Sequence, residues 1–151
     1  MKKFILIFIF FFLSTIPTKA NYVETEWRIV DFVGSMIVRD EKELFGKVQT
    51  IIKHNIKGPF YNCQGGMWWT YNKYKLEDLF ANPEFHLLKD LNDQLNLDDN
   101  MYYVHRLTCN GVVEGDAIMN FYPFITTDAK NNAYFIMDGG VFILEDIRNN
   151  N

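Results

Sequence analysis

The chain has 151 residues, 48% of them hydrophobic, with 15 Lys and Arg against 19 Asp and Glu. That length suits one domain around one core. The acidic balance argues against electrostatic binding to nucleic acid or to an anionic membrane.

Lys2 and Lys3 give the chain a positive start, Phe4 to Leu13 follow as an unbroken apolar run, and Thr18-Lys19-Ala20 supplies small residues where a signal peptidase reads. This is the layout of a secretory signal peptide, with an apolar core too short for a permanent membrane span. The expected organisation is therefore a signal peptide over 1–20 and a single β-rich domain over 21–151, exported to the periplasm or the extracellular space. No cysteine lies at the cleavage site and no other apolar run approaches spanning length, so no permanent membrane anchor is expected. The expected mature chain carries 12 Lys and Arg against all 19 acids, a formal charge of −7. Nine Phe, eight Tyr and three Trp remain in it, enough for a well-filled core or an aromatic-lined pocket.

In chain order, Glu24 to Val33 is aromatic and β-branched and predicts a strand, interrupted by Gly34-Ser35 and resumed by Met36-Ile37-Val38. Asp40, three residues before Glu43, predicts the start of a short helix that Gly46 ends. Lys47 to His54 predicts a strand with Val48, Thr50 and Ile52 on one face. Asn55 to Gln64, with Gly58-Pro59, predicts a bend leading into an edge strand. After Gly65-Gly66, Met67 to Tyr74 predicts a strand with aromatic residues on both faces. Asn82 as N-cap and Pro83 as first residue open the one long helix, with Phe85, Leu88, Leu91 and Leu95 at helical spacing. A polar loop, Asn96 to Asn100, leads to a predicted strand over Met101 to Cys109 and a hairpin turn at Asn110-Gly111. Ala117 to Ile125, Ala133 to Met137 and Val141 to Ile147 complete a meander. The expected fold is mainly β with one helix, an antiparallel sheet or small barrel of seven to eight strands.

The chemistry-bearing residues are sparse. Ser35 stands in Val33-Gly34-Ser35-Met36-Ile37 without the second glycine of a nucleophile elbow, and reads as a turn residue. His54, His86 and His105 show no metal-ligand spacing; His86 reads as a solvated helix residue, and His105 as a core histidine or a polar group in a pocket. Glu84, Asp90 and Asp93 belong to a helix surface and Asp98, Asp99, Glu114 and Asp116 to loops; Asp98-Asp99-Asn100 lacks the glycine and closing glutamate of an EF-hand loop. No catalytic residue, metal or cofactor is expected. Cys63 and Cys109 are the two cysteines, and for an exported chain the simplest reading is one disulfide. It would close a loop of 47 residues, worth about 4 kcal/mol on chain entropy. The alternative is a free thiol, for which no activating neighbour stands out.

Trp68, Trp69, Tyr71 and Tyr74, with Tyr102, Tyr103, Phe121 and Tyr122 on later strands, line a concavity or fill a core. The candidate ligand-binding set is Trp68, Trp69, Tyr71, Tyr103, His105 and Phe121.

Trp27 in Thr25-Glu26-Trp27, the run of antiparallel strands, and Arg148 just after the last strand resemble the lipocalin-like, or calycin, arrangement. In that superfamily such an arginine packs across the first-strand tryptophan and helps to close the barrel. The resemblance therefore implies a small lipocalin-like β-barrel. Here Thr25 stands where that pattern has a glycine, and the helix at Pro83 to Leu95 interrupts the strands rather than following them.

The expected function is a non-enzymatic secreted or periplasmic binding protein for a small apolar or amphipathic ligand. The alternative is a periplasmic immunity or inhibitor protein that neutralises an exported toxin or lysozyme-type enzyme, because an acidic inhibitor associates quickly with a basic protein partner. Contacts would then come from Asn96 to Asn100 and Glu114-Gly115-Asp116. The sequence leaves the oligomeric state open.

Overall fold

The computed structural model describes residues 26–35, 40–52, 55–64, 67–109, 123–127, 131–137 and 139–148, with backbone alone at 63, 64, 67–71 and 107–109. Nine strands form one antiparallel sheet: β1 (Glu26–Gly34), β2 (Val48–Ile52), β3 (Asn55–Lys57), β4 (Cys63–Gln64), β5 (Met67–Lys75), β6 (Met101–Cys109), β7 (Phe124–Thr127), β8 (Asn132–Met137) and β9 (Gly140–Asp146). Their order is β4-β3-β2-β1-β9-β8-β7-β6-β5. The first and last strands pair, and every other neighbour in the sheet follows its neighbour in the chain.

Every ladder in this order is antiparallel. β4 and β5, at its two ends, therefore run in the same sense, although only Gly65 and Gly66 separate them in the chain. β4 pairs with β3 and β5 with β6, and the two residues between them lie outside the described residues. With β4 and β5 counted together, the sheet has eight strands and curls into a half-barrel.

The curl fixes the inner face. Trp27 on β1 and Phe124 on β7 meet edge to face with ring centroids 5.5 Å apart. In a flat sheet the two intervening strands would hold them about 14 Å apart. Inside the curl Trp27, Ile29, Ile51, Ile56, Phe124, Ala133, Phe135, Met137, Phe142 and Leu144 form a core with Phe60 and Tyr61. These last two come from the β3–β4 loop, which folds inward: Phe60 stacks on Phe135 at 4.1 Å, and Tyr61 meets the same ring at 5.2 Å. A bulge between Ile29 and Asp31 resets the alternation of β1, so Phe32 joins the inner core and Val33 turns to the outer one.

On the outer face Val104, Ile125, Tyr134, Ile136 and Val141 meet the helical connection between β5 and β6. That connection is three short helices, α1 (Leu76–Ala81), α2 (His86–Asp90) and α3 (Asn92–Leu95), with a 3-10 turn over Pro83–Phe85. The single helix expected from Pro83 is thus broken, and α1 begins before it. Asn82 does cap, but the turn it caps is 3-10: its side chain accepts from Glu84 N at 3.0 Å. Leu79, Phe85, Leu88 and Leu95 are buried against the sheet. With covers on both sides, β7, β8 and β9 are buried nearly throughout, whereas β2 and β3 keep an exposed outer face. The helix expected after Asp40 is a 3-10 turn over Glu41–Leu44, capped by Asp40 through Lys42 N. Asn55–Lys57, expected as a bend, is strand β3. The expected strand over Ala117 to Ile125 appears as β7 from Phe124; residues 117–122 and the Asn110-Gly111 turn lie outside the described residues. Among the described residues no helix is long and apolar enough to cross a membrane.

Candidate functional site

The candidate residues lie mostly on β5 and β6, whose ladder runs unbroken from Met67↔Cys109 to Lys75↔Met101. Alternation along a strand divides them between faces. His105 pairs with Phe124, an inner-core residue, on one side and with position 71 on the other. Positions 69, 71, 103 and 105 thus share the inner face, and position 68 takes the opposite one. Four of the six candidates, Trp69, Tyr71, Tyr103 and His105, are brought to one face; Trp68 is not, and Phe121 lies outside the described residues. Period-2 alternation carried that signal: 69 and 71 are in phase, 68 is not.

Within this face polarity changes along the strands. Tyr103 is half-buried, and the Lys73 ammonium lies 5.3 Å from its ring centroid, within cation–π range. One rung further in, His105 is fully buried and its Nε2 shares a hydrogen bond of 3.0 Å with Thr126 Oγ1. Burial pushes the His105 imidazole down to about 4, so the ring is neutral at physiological pH. Below the Lys73 rung, Lys75, Glu77, Asp99, Asn100 and Met101 line an open cleft of about 390 Å³. The face therefore passes from a charged rim at Lys73 and Lys75, over Tyr103, to a secluded His105–Thr126 pair.

The tyrosines expected near the site separate. Tyr102 points outward into the helix-covered core, where its hydroxyl donates to Asp98 O at 2.7 Å. Burial, with Tyr134 and Asp98 adding to it, pushes that phenol well above its ordinary range. Tyr74 packs beside Phe85 on the same outer face, ring centroids 6.0 Å apart. Both are core residues. His86 is exposed and bonds Pro83 O through Nδ1 at 2.8 Å; His54 lies outside the described residues. Ser35 is exposed and donates its N–H to Gly139 O, a turn role. Among the described residues no group of three or more His, Cys, Asp or Glu is placed to hold a metal. The side chains of Cys63 and Cys109 lie outside the described residues; their backbones pair with Ile56 and Met67.

A polar residue absent from the candidates organises the opposite wall. Gln49 on β2 is fully buried: its Nε2 donates to Lys57 O and Tyr61 O at 3.1 Å, and its Oε1 accepts from Phe60 N at 3.1 Å and Tyr61 N at 3.0 Å. It holds the inward loop that fills the half-barrel. In the sequence Gln49 stands between Val48 and Thr50 and looks like an outward residue; nothing there marks it.

No protein-family model matches the chain, and no curated protein and no solved structure matches it either.

Proposed function

We propose that this is an exported, non-enzymatic binding protein of lipocalin-like type, which holds an amphipathic ligand on the inner face of β5 and β6. The observation that carries this reading is the β5–β6 register, which aligns positions 69 and 71 with His105 behind a rim made by Lys73 and Tyr103. An apolar body along the aromatic positions and an anionic or strongly polar head at Lys73 would match that gradient. The ring order with β1 and β9 paired, the buried Trp27 and the position of Arg148 just past β9 support the lipocalin-like assignment. The export signal over 1–20 and a Cys63–Cys109 bridge belong to the same reading. Thermal-shift and native mass-spectrometric screens with fatty acids, lysolipids and hydrophobic dyes test it. Binding should survive in Trp68→Ala and be lost in Trp69→Ala and Lys73→Glu. No shift of the wild-type melting temperature with any amphiphile would sink it.

A second observation favours the inhibitor reading. Residues 76–100 carry seven acids, Glu77, Asp78, Glu84, Asp90, Asp93, Asp98 and Asp99, against Lys89 alone, and all eight are exposed. This outer layer would steer a basic enzyme or toxin toward the helical side. Capture experiments with exported proteins of basic charge, repeated with Asp90→Lys and Asp93→Lys, separate the two readings: amphiphile binding should ignore these substitutions, and partner capture should weaken with them and with salt.

A further inference from the structure

The helical connection leaves the sheet and rejoins it at one rung. β5 ends at Lys75 and β6 begins at Met101, and these two residues pair. Alternation from Tyr103 puts both positions on the inner face, so this rung continues the Lys73–Tyr103 rung outward by about 7 Å. Each end of the connection adds a carboxylate there. Glu77 stands in the first turn of α1, which the buried Leu79 seats on the sheet. Asp99 stands in the loop before β6, where Tyr102 Oη donates to Asp98 O at 2.7 Å and Asn100 N donates to the same oxygen at 2.8 Å. The cleft lined by Lys75, Glu77, Asp99, Asn100 and Met101 measures about 390 Å³, a volume found in small-ligand sites. Lys75, Glu77 and Asp99 are exposed and form no ion pair with one another.

Resting on the amphiphile reading above, we propose that this cleft takes a zwitterionic head group. Its phosphate lies toward Lys73 and Lys75, and its primary ammonium toward Glu77 and Asp99. Charge selects that class. Together with Lys73 on the rim, the cleft sets two ammonium groups beside two carboxylates. A purely anionic head would meet Glu77 and Asp99 uncompensated, and a purely cationic head would meet the two lysines. Repulsion of this kind discriminates between ligands as attraction does. A head that carries both signs across a short linker offers each of the four groups a charge-assisted hydrogen bond. Met101 adds an apolar edge beside the first carbons of the tail. The tail then runs over Tyr103 toward His105, the direction in which burial increases.

Three amphiphiles with one tail test the assignment on the full chain: dodecylphosphoethanolamine, dodecyl phosphate and dodecylamine, titrated calorimetrically below their micelle concentrations. The zwitterion should bind about tenfold more tightly than either singly charged head. Glu77→Gln combined with Asp99→Asn should remove that preference by tightening dodecyl phosphate. Lys75→Gln should weaken dodecyl phosphate and the zwitterion alike. Asp78→Asn, on the same helix but outside the cleft, should change neither; an effect as large as that of the paired substitution would reduce the cleft to general surface charge and overturn it. Phosphoethanolamine without a tail should bind about a hundredfold more weakly or worse, because it buries no apolar surface; equal binding would overturn the amphiphile in favour of a soluble zwitterion. Equal affinity of the wild type for dodecylphosphoethanolamine and dodecyl phosphate would overturn the head-group assignment and leave the amphiphile reading standing. No binding of any of the three would sink both.

Discussion

The carboxamide of Gln49 occupies the space that a side chain on Gly58 would need. A Cβ on Gly58 would lie 2.5 Å from Gln49 Oε1 and 2.8 Å from Gln49 Cα. The residue that clamps the inward loop thus also dictates the glycine at its start. Gly58→Ala should cost about 1–3 kcal/mol through overpacking, and Gln49→Ala about 2–4 kcal/mol because the amides of Phe60 and Tyr61 lose their acceptor while buried. Urea unfolding of the single and double variants should show a double loss smaller than the sum. Strict additivity would mean that the two positions do not act on one another.

His105 should make the fold acid-sensitive in a defined window. Its imidazole titrates at 6.5 in the unfolded chain and at about 4 in the fold. Above pH 6.5 the stabilisation from the neutral ring is fully present. As the pH falls toward 4, the unfolded chain takes up a proton that the fold refuses, and stability drops by about 3 kcal/mol before levelling off. Unfolding free energies of the wild type and His105→Gln, measured from pH 7.5 to 4, should converge as the pH falls. Parallel curves would show that His105 is not the group responsible.

Gly140 and Phe32 set a second close approach. A Cβ on Gly140 would overlap the Phe32 ring, which packs on Phe142 with centroids 4.7 Å apart. Gly140→Ala should therefore displace Phe32 from the inner core at a cost of about 1–3 kcal/mol. In the background Phe32→Ala the same substitution should cost less, a comparison that thermal unfolding reads directly.

The ion pair between Arg28 and Glu145, at 3.1 Å across β1 and β9, lies on the exposed outer face. Solvent screening leaves such pairs little to contribute, so Arg28→Ala should change stability by less than about 1 kcal/mol. A larger loss in denaturant unfolding would point to packing of the arginine stem on β2.

Local signals carried most of the strands. β6 matches the expected Met101 to Cys109, because Tyr102, Tyr103, Val104, Leu107 and Thr108 are aromatic, β-branched or aliphatic and a polar loop precedes them. β1, β5, β8 and β9 fall within a few residues of expectation. Faces were harder to read. On β2 the aliphatic and β-branched set Val48, Thr50 and Ile52 points outward, with Ile52 half exposed, while Gln49 and Ile51 are buried. The reversal rests on what Gln49 bonds inside, a tertiary fact with no local trace. The helical connection departs from its expected form for a related reason. Asn82-Pro83 promised a start, but the residues before it already form α1, with Leu79 buried against the sheet. In the candidate site, the expected set holds both Trp68 and Trp69, which strand phase puts on opposite faces, and the pairing of His105 with Thr126 joins strands that sequence alone does not align.

Because β1 and β9 pair along seven rungs and Ile147 N donates to Glu26 O at 3.0 Å, the described ends of the domain lie side by side. The β1–β9 ladder, a contact between the first strand and the last, does for the ring what a hairpin does elsewhere. The order in which the strands are synthesised is then a convention that the fold does not need. A circular permutant, with the old ends joined by a short flexible linker and the chain reopened between β7 and β8, would turn the longest-range ladder into a local one. It should reach the same sheet by a lower contact-order route and fold faster than the natural order.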